Sequence, residues 1–145
     1  YFTGTKTLKI TCADCMNILK RLPDKCIDMI MTDFPYCEVN REDNGLRNLN
    51  MGCADELNVD LQECVSELIR VCKGSFYAFC GTEQVSEIRK QLVDAGFSTR
   101  LIIWEKTNPS PMNGQHIWLS GIECCVFGKL KNAPFNEKCK NTVLR

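Results

Sequence analysis

Along this chain the spacing of apolar residues alternates between helical and strand-like. A short strand signal at Leu8–Thr11 precedes Asp14–Leu22, where Cys15, Ile18, Leu19 and Leu22 recur at helical spacing until Pro23-Asp24 ends the run. Ile27–Thr32 (IDMIMT) is an apolar run bounded by Asp33 and a proline, the pattern of a strand buried on both faces. Residues 37–59 are polar, carry Asn40, Asn44, Gly45, Asn48, Asn50 and Gly52, and show no period. A loop this long within a compact domain is usually functional or mobile, and a mobile loop is expected here. Helix returns at Asp60–Lys73, with one stripe of Leu61, Cys64, Val65, Leu68, Ile69 and Cys72. Asp60 suits its N-cap and Gly74 the position past its end. Ser75–Cys80 reads as a strand and Glu83–Ala95 as an amphipathic helix stopped by Gly96. Thr99–Trp104 and Glu123–Gly128 are two further strands, and the Pro- and Asn-rich stretch Asn108–Gly121 between them leaves no room for a long helix. These two strands are expected to form an antiparallel pair.

Strands alternating with helices predict a three-layer α/β sheet with right-handed crossovers. Ligands in such sheets bind at the carboxyl ends of the strands. Asp33, Gly81 and Lys106 each fall just after a strand end, so they should share one rim. The length of 145 residues suits a single domain, 1–145, with a sizeable core. Lys plus Arg and Asp plus Glu are 18 each, so any contact with nucleic acid must come from a local basic patch. The tail 129–145 is such a patch: Lys129, Lys131, Lys138, Lys140 and Arg145 stand against Glu137 alone. Mean hydropathy of -0.19 and 25% charged residues exclude a disordered or membrane-spanning chain. No charged-then-apolar signal segment opens the sequence.

Eleven cysteines are many for this length, and in a secreted chain would suggest a disulfide framework. Here Cys26, Cys64, Cys72, Cys80, Cys124 and Cys125 lie in or beside apolar periodic segments, where free cysteine behaves as a small hydrophobe. Reduced thiols and a cytoplasmic location are therefore expected. Cys12 and Cys15 form one CxxC, placed between a strand signal and a helix as redox motifs are, but no other feature supports that chemistry. A zinc site would need two more ligands, His116 is the only histidine, and no metal is expected.

The most unusual chemistry is Asp33-Phe34-Pro35-Tyr36 at the end of a strand. Pro35 biases Phe34 towards extended backbone, so the turn presents carbonyl oxygens. Asp33 adds a carboxylate, an acceptor only when ionised, and Tyr36 a flat ring. Such a set suits a planar group bearing an NH₂. The plainer reading of the tetrapeptide is an N-capping Asp before a proline turn.

The stretch Leu8–Tyr36 closely resembles the opening of amino-type DNA methyltransferases, which move a methyl group from S-adenosylmethionine to adenine N6 or cytosine N4. Ala13-Asp14-Cys15 stands for their GDC turn, and Asp33-Phe34-Pro35-Tyr36 for their D-P-P-Y tetrapeptide. Val71–Gln84 is similar to the strand and turn that follow, while Trp104–Pro111 (WEKTNPSP) and Ile122–Lys129 (IECCVFGK) resemble the W-x-K-x-N-P and H-E-x segments. The resemblance covers most of residues 8–130 in the motif order of the family's β group. Phe34 replaces the first Pro of the tetrapeptide, and Ile122 stands where the family has His. The family's F-x-G-x-G cofactor loop and its H-P-T-x-K-P segment are absent from these residues.

The resemblance implies a Rossmann-like S-adenosylmethionine methyltransferase fold. Its sheet would be mostly parallel with an antiparallel C-terminal strand pair. It would be incomplete here, without the strand that carries the glycine loop and with one sheet edge open. It implies catalytic roles for Asp33, Phe34, Pro35 and Tyr36, and contact with S-adenosylmethionine at Asp14, Cys15 and Asp33. Lys106, Asn108, Lys129 and Lys131 would touch DNA. Asp at the first tetrapeptide position leans towards adenine N6 over cytosine N4. The target base would be flipped out of the duplex onto Tyr36. DNA is the expected partner, with a homodimer a further expectation and no membrane contact. Simpler roles compete at some positions: a helix N-cap for Asp14, a hairpin turn for Lys106 and Asn108, a solvated face for the basic tail with Lys129 and Lys131, structure for Glu123, and core for Trp104. Two other functions compete as well: a non-catalytic DNA-binding or partner subunit that lost cofactor binding, and an RNA or protein N-methyltransferase.

Overall fold

A computed structural model describes residues 10–36, 60–109, 116, 118–136 and 139–145. Its elements are α1 (Cys15–Leu19), β1 (Ile27–Asp33), α2 (Leu61–Val71), β2 (Cys72–Cys80), α3 (Val85–Asp94), β3 (Ser98–Glu105), β4 (Ile122–Lys129) and β5 (Val143–Leu144). The strands form one sheet in the order β1-β2-β4-β3-β5. β1 runs parallel to β2 and β5 parallel to β3, while β4 is antiparallel to both its neighbours. The expected antiparallel pair β3–β4 is therefore joined to β1–β2 through β4.

Alternation along the strands sorts their side chains to two faces. Ile30, Phe76, Ala78 and Val126 point to one face and join Leu61, Cys64 and Val65 of α2 and Ile88 and Leu92 of α3 in the core. Phe76, Ile88, Leu92, Val65 and Val126 are fully buried. Each contributes about 1.5–3 kcal/mol relative to exposure. The stripe read from residues 61–72 is thus the core face of α2, and Asp60 caps it by accepting from Glu63 N at 3.0 Å. Gly96 ends α3 with φ +84, a conformation that costs glycine little.

Several expectations need correction. Leu8 and Lys9, and the loop 37–59, lie outside the described residues, and Ile10 and Thr11 carry no strand. The first helix is shorter than Asp14–Leu22, because residues 20–22 form a turn. β1 is not buried on both faces: it lies at the sheet edge, and Met29 and Met31 are 56% and 64% exposed. An apolar run reports that side chains avoid water, not that both faces have partners within the same chain segment. The described helices form one layer against the sheet, on the face opposite to Met29 and Met31. Trp104 is 50% exposed on β3 rather than core. The tail is not only a charged strip, for Lys129 belongs to β4 and Val143–Leu144 pair with β3. No described helix is long and apolar enough to cross a membrane.

Gly74 does not end a helix. It sits inside β2, where two residues, Lys73 and Gly74, oppose Asp28 alone between the pairs Ile27–Cys72 and Met29–Ser75. A Cβ on Gly74 would overlap the Asp28 carbonyl. The glycine therefore permits the bulge that lets β2 continue directly from α2. Gly74→Ala is expected to destabilise the fold near or beyond the upper end of the about 1–3 kcal/mol that overpacking costs. Urea denaturation of both proteins measures this, and an unchanged midpoint would contradict it.

Candidate active site

The site grows from the carboxyl ends of β1 and β2. Asp33 pairs with Phe79 as the last residue of β1, and Phe34 N donates to Phe79 O at 3.0 Å, carrying the ladder one step further. Phe34 is buried in the core. Its buried ring anchors the start of the turn. Pro35 O then accepts from Gln84 Nε2 at 3.0 Å, and Gln84 Oε1 accepts from Gly81 N at 2.9 Å. Gln84 is 3% exposed. One buried amide thus ties the turn after β1 to the turn after β2.

Tyr36 is held from the other side of the rim. Its hydroxyl donates to Glu123 Oε2 at 2.8 Å, and Glu123 Oε1 lies 2.5 Å from Lys106 Nζ. Lys106 N also donates to Gly121 O at 2.8 Å, closing the ends of β3 and β4. Tyr36, Gly81, Glu83, Lys106, Glu123 and Cys124 help to line a cleft of about 330 Å³. Burial drives the Tyr36 hydroxyl far above the usual phenol range, and its hydrogen bond to Glu123 and the charge of nearby Asp33 act in the same direction. The phenol is therefore a donor at any physiological pH, and its ring is fixed while Asp33 stays exposed beside it.

Gly81 and Lys106 share one rim, as their strand-end positions predict, and Tyr36 joins them there; Asp33, the third residue expected on that rim, is not among those lining the cleft. Asp14 is placed elsewhere, capping α1 through Met16 N at 2.8 Å and Asn17 N at 3.2 Å. Burial raises the pKa of the Cys64 thiol on α2, and neighbouring Cys15 acts in the same direction. The proposed DNA contacts fall at two places. Exposed Asn108 follows Lys106 at the cleft end of the sheet, while Lys129 and Lys131 stand at the far end of β4, roughly 24 Å away at about 3.4 Å per residue. Lys129 Nζ donates there to the carbonyls of Leu130 and Lys131.

Two residues of the site were not singled out for it by the sequence. Gln84 stands at the N-cap position of α3 without capping it, and a glutamine there, where Ser, Thr, Asp or Asn would be favoured, was the available signal. Glu123, for which the sequence favours a structural role, holds Tyr36 and Lys106 together at the cleft.

The cysteines do not supply a nucleophile at the cleft. Burial pushes the Cys80 thiol up to about 12 and raises Cys124 as well, so both stay protonated near neutral pH. All nine described cysteines are free: Cys12, Cys15 and Cys139 are exposed, Cys26 is half-buried, and Cys64, Cys72, Cys80, Cys124 and Cys125 are buried. Peptide-resolved mass spectrometry after alkylation of the native protein is expected to find fast labelling at the three exposed positions. The five buried thiols should label only after unfolding. Rapid native labelling of Cys80 or Cys124 would contradict this placement.

No family model matches the sequence, and none of the curated proteins does. Solved structures do match. The M1.HpyAVI–SAM complex superposes with a TM-score of 0.65 at 24% identity over 94% of this chain and 64% of that one. A second structure of M1.HpyAVI gives 0.63 at 24%, over 90% and 61%. TTHA0409 of Thermus thermophilus, described as a putative DNA modification methylase and complexed with S-adenosyl-L-methionine, gives 0.52 at 17%, over 88% and 56%. This chain therefore shares the fold of these structures, two of which were solved with S-adenosylmethionine, and it spans less than two thirds of the length of each.

Proposed function

We propose that these residues form the base-binding half of a DNA methyltransferase that modifies an exocyclic amine, adenine N6 in preference to cytosine N4. The observation that carries the reading is the anchored turn Asp33–Tyr36. An exposed carboxylate and a fixed aromatic ring stand together at the ligand edge of the sheet, beside a cleft of a size to take a single planar base. The likeness in fold to structures solved with S-adenosylmethionine supports the choice of methyl donor.

The residues present fit one side of such a donor site. Asp33 is exposed at the end of β1, and β1 is the sheet edge among the described residues, so a donor beside Asp33 would lie past that edge. S-adenosylmethionine bound there would supply an electrophilic methyl group, with Asp14, Cys15 and Asp33 as the proposed contacts on this chain. The acceptor amine is a poor nucleophile because its lone pair is delocalised into the ring. Asp33 and the Phe34 carbonyl accept its two hydrogens, drawing the nitrogen towards tetrahedral geometry and freeing the lone pair. Such positioning and charge stabilisation supply most of the rate gain in reactions of this kind. The Tyr36 ring stacks on the base, and its hydroxyl, engaged by Glu123, holds the ring in place. Lys106 is neutralised by Glu123, so its contact with a phosphate would require it to leave that partner. Lys129 and Lys131 are proposed to follow the duplex further away.

The test is incubation of the full-length gene product with S-adenosylmethionine carrying a tritiated methyl group, in separate arms with DNA, RNA and protein. Label is expected in DNA. Label confined to RNA or protein would overturn the substrate, and label in none would favour a non-catalytic subunit.

A further inference from the structure

Gln84 is where the two strand-end turns meet. It is 3% exposed at the rim of a cleft whose neighbouring residues Thr82 and Glu83 are open to solvent. Its oxygen accepts from Gly81 N, and its amide nitrogen donates to Pro35 O. The side chain leaves the N-terminus of α3 uncapped in order to do so. A carboxamide presents a donor and an acceptor in one plane at this length without any change of protonation.

The turn needs such support. Among the described residues β1 pairs with β2 alone, and that ladder ends at Phe34 N and Phe79 O. Beyond it, the Gln84 amide holds the Pro35 carbonyl on the β2 side and Glu123 holds the Tyr36 hydroxyl on the β4 side, with Asp33 also within that hydroxyl's reach. The Glu123 bond holds a side-chain tip, whereas the Gln84 bond holds backbone. The carbonyl that Gln84 takes is one residue beyond the Phe34 carbonyl assigned to the amine.

Resting on the methyl-transfer reading, we propose that Gln84 is a positioning residue. It fixes the backbone of Asp33–Tyr36 against the β2–α3 turn, so that the Asp33 carboxylate, the Phe34 carbonyl and the Tyr36 ring address one amine together. Gln84 does not touch the base. Its loss misplaces groups that do, and displacement of about 1 Å can cost about 10²-fold in rate.

Two variants of the full-length gene product separate the two bonds. Gln84→Glu keeps an oxygen for Gly81 N and, assayed at a pH where its carboxyl is ionised, loses the donor to Pro35 O. Gln84→Met keeps the length and loses both. Steady-state methyl transfer to DNA is expected to show kcat lowered by about 10- to 100-fold in both, with KM for S-adenosylmethionine changed by less than about threefold. Unchanged kcat, or a change confined to KM, would overturn the proposal. Amide hydrogen exchange gives a readout that needs no turnover. Faster exchange at Phe34, whose N–H is held by Phe79 O, is expected in both variants, and at Gly81 in Gln84→Met but not in Gln84→Glu. Exchange equal to wild type at Phe34 in both variants would also overturn it. If the wild-type protein transfers no methyl group, the methyltransferase reading fails and the exchange experiment alone decides the role of Gln84. Should the buried carboxylate of Gln84→Glu prevent folding, Gln84→Met carries the same kcat and exchange comparison.

Discussion

Asp33→Ala is expected to lower methyl transfer by the full-length gene product about 10²- to 10⁴-fold, the range for losing a group that acts on the reacting atoms in the transition state. Two facts separate this from a folding defect. Asp33 is exposed, and the main-chain ladder continues past it through Phe34 N and Phe79 O. Exposed substitutions away from caps and strained backbone usually change stability by no more than about 0.5 kcal/mol. The Phe34 ring also stays in the core, so the turn keeps its anchor. Asp33→Asn retains one acceptor oxygen and should fall between wild type and Ala. Thermal melts alongside the assay make the distinction. Activity retained in Asp33→Ala would remove the carboxylate from the mechanism, and activity lost together with the fold would leave Asp33 a structural residue.

The second large effect concerns the methyl donor. Residues 1–145 made alone are expected to bind S-adenosylmethionine more weakly than about 1 mM, a binding free energy of no more than about 4 kcal/mol. A nucleoside ligand in this class of sheet needs a strand-to-helix turn where backbone approaches it closely with no Cβ in the way. The sequence contains no Gly-x-Gly. The one described turn of this kind, after β2, is already filled, because a Cβ on Gly81 would meet the Glu83 carboxylate and Gly81 N is held by Gln84. Among the described residues β1 is the outermost strand, and this edge with the exposed Met29 and Met31 beside it also predicts self-association of the isolated 145 residues. Isothermal titration decides the first point and sedimentation the second. A micromolar dissociation constant would mean that the donor site lies within these residues and that its placement past β1 is wrong.

What could be read from the sequence follows from what apolar spacing reports. It located α2, β2, α3, β3 and β4 because each buries a stripe or an alternate face against the same core, with Asp60 and Gly96 marking ends through their local chemistry. It did not show that β1 is an edge, since Met29 and Met31 look the same in sequence whether covered or exposed. It misplaced Gly74, because a glycine after a helical stripe suits a helix end as well as a bulge, and only the register against Asp28 decides between them. The tetrapeptide was legible as chemistry, and Phe34 as a departure from the family it resembles. Its buried ring, the Gln84 amide and the Tyr36–Glu123–Lys106 chain depend on contacts between residues far apart in sequence. No local pattern encodes them.

The central claim is that the turn Asp33–Tyr36 directs methylation of an exocyclic base amine in DNA. Nucleoside mass spectrometry of DNA treated with S-adenosylmethionine and the full-length gene product tests it most directly. The account predicts N6-methyladenine, and its disappearance when Asp33→Ala replaces the wild type. No methylated nucleoside, or a methyl group on a ring carbon that survives in Asp33→Ala, would contradict it.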